Sequence, residues 1–167
     1  PKFNTDGTAF NGPWGRPQND GPALRATSFI KMAHALIANG QQALAQELYT
    51  AKLPAVSVIK ADLEFVSHHW RETSYDLWEE IRGDHFYSRM VQRKALIEGA
   101  TLAEMFNDLA AAQWYKQQAS LIEIEILKHW DSTQGVFVTT LNQNPTDHPY
   151  KDNPLDAALL LGILHGA

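Results

Sequence analysis

Helix punctuation recurs along this chain, and it limits the fold more than any other feature. Asp20-Gly21-Pro22 reads as a helix start, with Asp able to cap free N–H groups and Pro suited to the first turn. Leu24, Phe29, Ile30, Ala33, Leu36 and Ile37 follow at helical spacing, and Asn39-Gly40 supplies a stop. The same reading predicts helices over Gln41–Lys52 (ended by Pro54), from Val58 to Trp70, over His85–Ala112, over Gln113–Trp130 and over Pro154–Leu164. Gly135-Val136-Phe137-Val138 reads as a short extended piece, and polar Asn142–Asn153 as a loop. There is no strand alternation, repeat or Gly-rich phosphate loop. The expectation is an all-α chain of antiparallel helix hairpins.

Composition removes several functions. A net charge of −5 argues against nucleic-acid or anionic-membrane partners, which need a cationic surface. No apolar run approaches the ~20 residues that span a bilayer. With no Cys there are no disulfides, no thiol nucleophile and no Cys-ligated zinc. The seven His give no metal signal, because His68 and His69 are adjacent and no His-x-x-x-His pair occurs. Asp147–Asp152 lacks the alternating ligands of a calcium loop. No metal or other cofactor is expected.

Two clusters stand apart. In Tyr75-Asp76-Leu77-Trp78-Glu79-Glu80, three carboxylates and two aromatics fall within six residues of a link between helices. In a helical turn Asp76, Glu79 and Glu80 share one side, where like charges and an apolar wall such as Trp78 hold a carboxylic acid protonated, as general-acid catalysis requires. The residues leave a second reading open, a solvated acidic turn anchored by Trp78. The other cluster, Trp14-Gly15-Arg16-Pro17-Gln18-Asn19-Asp20, lies in a loop of twenty residues with three Gly and three Pro. It combines a flat aromatic with groups that suit sugar hydroxyls, and it reads equally as a rigid packed loop.

Taken together, these stretches resemble the glucoamylases of inverting glycoside hydrolase family 15. The likeness rests on Pro1–Asn4 (PKFN), Trp14–Arg25 (WGRPQNDGPALR) and Tyr75–Glu80 (YDLWEE), with weaker support from Arg89–Gly99 and Asp156–His165. The resemblance implies an (α/α)6 barrel with its site in loops at one end. It implies Glu79 as general acid, Asp76 as a nearby acid that affects activity, and Leu77, Trp78 and Glu80 around the sugar. Trp14, Arg16 and Asp20 fall in the matching substrate-side loop. The implied reaction is inverting release of terminal glucose from starch, maltooligosaccharides or related α-glucans, by a family whose members are commonly secreted. The family's general base has no counterpart here. The 167 residues hold about half the helices of a six-hairpin barrel, and the chain starts at Pro1 and stops after a helical pattern. The expectation is therefore a partial catalytic domain over 1–167, with the remainder of the same enzyme chain as its partner. Two alternatives are a non-catalytic all-α carbohydrate-binding or interaction domain, and a relative acting on trehalose or dextran.

Overall fold

The computed structural model describes residues 2–13, 15–143 and 156–167. Its six helices are α1 (Gly21–Ala38), α2 (Gln42–Leu48), α3 (Val58–His69), α4 (Phe86–Met105), α5 (Leu109–Leu127) and α6 (Ala157–Gly166). The mainly helical fold class expected from the sequence is thus the one observed. α4 is the hub, packing against α1, α3, α5 and α6. Side chains such as Ile30, Leu63, Leu96, Leu102, Tyr115 and Ile122 are excluded from solvent in the core between them.

Two helix ends show how the chain turns. α1 closes in a Schellman motif: Gly40 has φ 74°, its N–H donates to Ile37 O, and Gln41 N–H donates to Leu36 O. α4 closes in the same way with Asn107 in the glycine position, at φ 58°. There Asn107 N–H donates to Glu104 O and Asp108 N–H to Ala103 O. Asp108 then caps α5 by accepting from Ala111 N–H. The expected break after Ala112 therefore falls at residues 106–108. Asn tolerates the left-handed conformation and replaces the Gly signal there.

Small residues bring α6 onto α4. A β-carbon on Gly162 would lie 3.0 Å from the Phe86 ring, and one on Gly166 would lie 2.5 Å from Met90 Cβ. The opposite side of α6 leaves Leu160, Ile163 and Leu164 exposed.

The link expected as plain loop between α3 and α4 contains short strands. β1 (Ser74–Tyr75) and β2 (Arg82–His85) form an antiparallel hairpin, with β5 (Thr140–Leu141) pairing on the far side of β2. β3 (Trp130–Asp131) and β4 (Val136–Phe137) form a second hairpin. The helix expected to reach Trp130 ends at Leu127, and the extended piece expected at 135–138 is the β4 arm. Strands of two residues are too short to show alternation. Much of the polar segment 142–153, together with Pro154, lies outside the described residues, and α6 starts at Ala157 behind an Asp156 cap.

Candidate active site

The β1–β2 hairpin carries the acidic cluster. Asp76 N–H donates to Ile81 O at 2.9 Å and Glu79 N–H donates to Asp76 O at 3.0 Å. The Asp76 carboxylate, nearly buried, accepts from Glu80 N–H at 2.7 Å and Ile81 N–H at 3.0 Å through one oxygen. The segment is therefore not the helical turn that would place three acids on one side. The side chain of Asp76 occupies its own turn, binding the N–H groups of Glu80 and Ile81. Glu79 takes φ 63°, a left-handed conformation that disfavours any residue with a β-carbon by roughly 1–3 kcal/mol. Strain of that size persists only where the surroundings fix the turn, as Asp76 does here.

The second cluster packs onto the first. A β-carbon at Gly15 would lie 2.8 Å from Glu79 O and 3.0 Å from the Tyr75 ring, so only glycine permits this approach. Two residues on, Pro17 O accepts from Tyr75 N–H at 2.8 Å, and Gln18 Nε2 donates to Asp76 O at 3.4 Å. The two sequence motifs thus form one surface. Trp14 lies outside the described residues.

Around this surface, Glu79 is exposed, and its carboxylate lies 3.9 Å from Lys2 Nζ. Lys2 in turn stands 5.1 Å above the Phe10 ring. Trp78 is 42% exposed and its indole N–H donates to Asp156 Oδ1 at 3.0 Å. The same oxygen accepts from Ala158 N–H, so one carboxylate caps α6 and holds the Trp. Leu77 is half-buried against the core, and Glu80 is half-buried with its N–H in the Asp76 turn. Asp20 stands at the N-cap position of α1 but makes no side-chain cap bond. Burial raises its carboxyl pKa, backbone N–H groups and His85 oppose that, and the charge of Asp76 adds to it. Arg16 lines a groove of about 520 Å³ with Pro17, Gln18, Asn19, Pro22, Arg25 and others. In that groove Arg25 forms a bidentate pair with Asp62, Nε to Oδ2 at 2.8 Å.

Behind the hairpin lies a polar frame that the sequence reading did not single out. Buried Arg89 donates to Trp70 O, to Gln92 Oε1 at 3.2 Å and to Asp84 Oδ1 at 3.0 Å. Asp84 accepts from Asn142 at 2.7 Å through its other oxygen. Gln92 donates to Asn19 O at 3.0 Å, tying α4 to the Gly15–Asp20 loop. Buried His85 donates from Nε2 to Ser74 O at 2.8 Å, which leaves Nδ1 to accept from Thr140 Oγ1 at 3.0 Å. Burial lowers its pKa, so the neutral ring is the form that fits. The available signal was Arg89 and Gln92 at i, i+3 spacing among the apolar residues of α4.

The sequence model of glycosyl hydrolases family 15 matches residues 1–167. The chain belongs to glycosyl hydrolases family 15. Similar relatives include Glucoamylase P of Amorphotheca resinae, 48% identical over 98% of this chain and 24% of that protein. A glucoamylase of Blastobotrys adeninivorans is 42% identical over 99% of this chain and 27% of its own length. Among solved structures, the Hormoconis resinae glucoamylase superimposes with a TM-score of 0.83 and 35% identity, covering 99% of this chain and 26% of that one. The glucoamylase of Saccharomycopsis fibuligera gives 0.80 and 32%, over 99% and 35%. The family 15 segment thus spans about a quarter of the length of these two relatives, and its helices follow the fold of those solved glucoamylases.

Proposed function

We propose that the enzyme containing this segment is an inverting glucan 1,4-α-glucosidase that releases terminal glucose from the non-reducing ends of starch-like chains, with Glu79 as general acid. The supporting observation is the Glu79 turn. An exposed carboxylate sits on a left-handed residue, fixed from inside by Asp76 and from outside by Gly15. In this reading Glu79 donates its proton to the glycosidic oxygen as the bond to the anomeric carbon breaks. A water activated by a second carboxylate attacks from the opposite face of the ring.

Inversion needs the two carboxyl groups about 6.5–9.5 Å apart, so that this water fits between them. Asp76 is a poor base, because its carboxylate binds the N–H groups of its own turn. It is a positioning residue. The base then comes from the remainder of the chain, completing an (α/α)6 barrel, and the exposed Leu160, Ile163 and Leu164 of α6 are a surface for that remainder to cover. Trp14, Arg16, Asp20, Leu77, Trp78 and Glu80 border the sugar. Secretion follows from the family resemblance. Among the described residues no helix is long and apolar enough to cross a membrane.

The test is glucose release from maltose by the full-length enzyme, with the product anomer followed by NMR. β-Glucose appearing first, and a fall of about 10²–10⁴-fold in kcat for Glu79→Gln, are expected. α-Glucose appearing first overturns inversion. Activity that survives Glu79→Gln overturns the acid assignment, and release from trehalose or dextran in preference to maltose overturns the substrate.

A further inference from the structure

At the far end of α4 lies a second constellation that the Glu79 site does not use. Lys60, 1% exposed, donates to Asp108 Oδ2 at 2.8 Å and lies 3.3 Å from Glu64 Oε1. Tyr49 O–H donates to the same Asp108 oxygen at 2.8 Å, and Tyr115 O–H to Glu64 Oε1 at 2.7 Å. Burial and the adjoining carboxylates drive the pKa of both phenols far up, so they remain donors. Above this floor opens a pocket of about 340 Å³, walled by Trp114, His68, Leu53 and the alanines of the α5 N-terminal turn. That volume falls within the ~300–1,000 Å³ range of small-molecule sites.

The chemistry of the walls selects the ligand. His68 donates from Nδ1 to Glu64 O at 2.8 Å, so in the neutral ring Nε2 is an acceptor, and it has no hydrogen-bond partner among the described residues. Glu64 Oε2 lies 3.8 Å from His68 Nδ1 and is a second acceptor on the same wall. The Trp114 ring, 36% exposed, stands 5.5 Å from the His68 ring at a 36° tilt. The carboxylates repel anions and Lys60 in the floor repels cations. A neutral ligand that offers hydroxyl donors around an apolar face satisfies all these groups.

We infer that the Trp114–His68 pocket is a second, non-catalytic site for a neutral pyranose ring, stacked on Trp114 with its hydroxyls on Glu64 and His68. The residues lining this pocket (among them Lys60, Glu64, His68, Asp108 and Trp114) include none from the acidic hairpin or the Gly15–Asp20 loop, so a ring held here is not the ring being cleaved. That the ring belongs to an α-glucan rests on the function proposed above; the pocket chemistry does not. A polymer held at this site raises the effective concentration of its free ends at the other.

The experiment titrates maltotriose into the full-length Glu79→Gln enzyme by calorimetry and repeats the titration with Trp114→Ala added. Two binding sites are expected, one of them weakened at least tenfold by Trp114→Ala. With Glu79 intact, Trp114→Ala should leave kcat on maltose within about twofold. Where Trp114→Ala does not fold, His68→Ala, an exposed position, supplies the same loss. A single site in the parent, or two sites untouched by both substitutions, overturns the proposal. Equal binding of cellotriose retains the pyranose site and overturns its assignment to an α-glucan. Two sites in an enzyme whose Glu79 form releases no glucose overturn the catalytic reading and leave this one standing.

Discussion

The carbonyl oxygen of Glu79 lies 2.8 Å from the point where a β-carbon on Gly15 would be placed. Because the obstructing atom is backbone, no rotamer change can relieve the contact. Gly15→Ala is expected to cost about 1–3 kcal/mol in stability by overpacking, and to displace the Glu79 turn so that kcat falls more than KM rises. Chemical denaturation and maltose kinetics on the full-length enzyme check both parts.

Asp76 separates into a hydrogen-bonding role and a charge. Asp76→Asn keeps an oxygen for the N–H groups of Glu80 and Ile81 and should leave the fold nearly as stable. Asp76→Ala abandons two inward N–H groups and should cost about 1–3 kcal/mol. If both variants lose activity equally at equal stability, the charge matters and the turn bonds do not. Thermal unfolding alongside kcat distinguishes these outcomes.

Acidification should weaken the fold through two histidines. Burial lowers the folded-state pKa of His85 and His129 below the ordinary value of 6.5. The unfolded chain therefore binds protons first as pH falls through 6.5, and stability is lost from there down toward the folded pKa values. His85→Gln can donate to Ser74 O and accept from Thr140 without titrating, so it should flatten the thermal midpoint between pH 7.5 and 5. An unchanged slope would remove His85 as a contributor.

Lys60→Met should destabilise strongly, by about 3–5 kcal/mol, because it leaves Asp108 and Glu64 facing each other without their cation. Adding Asp108→Asn to the variant should recover part of that loss. Denaturant midpoints of the single and double variants measure it.

The fold was legible where side chains announce backbone geometry. Gly40 and Pro22 mark the ends of α1, and apolar spacing places α1, α3, α4 and α5. The α4–α5 boundary was misplaced because Asn107 does the work of a glycine there without its signature. The site was legible as two motifs, since carboxylate and aromatic density can be read directly. The form of its turn was not. Nothing local distinguishes an Asp76 that faces solvent from one that folds back onto Glu80 and Ile81. Arg89 and Gln92 fall in a stretch that supports the resemblance, but their role is not legible there, because their partners, Trp70 O and Asn19 O, are backbone atoms far away in sequence.

The hydrogen bond from Trp78 to Asp156 joins residues 78 positions apart, and the Gln92–Asn19 bond joins residues 73 apart. Loops of that length close late in folding, after helices held by local contacts. On the ribosome the acidic hairpin therefore waits for α6 to emerge before Trp78 finds its partner. The nascent enzyme acquires its fastening points in order, the Asp76 and Gly15 contacts of the Glu79 turn first and the Trp78 anchor only once about eighty further residues have been made.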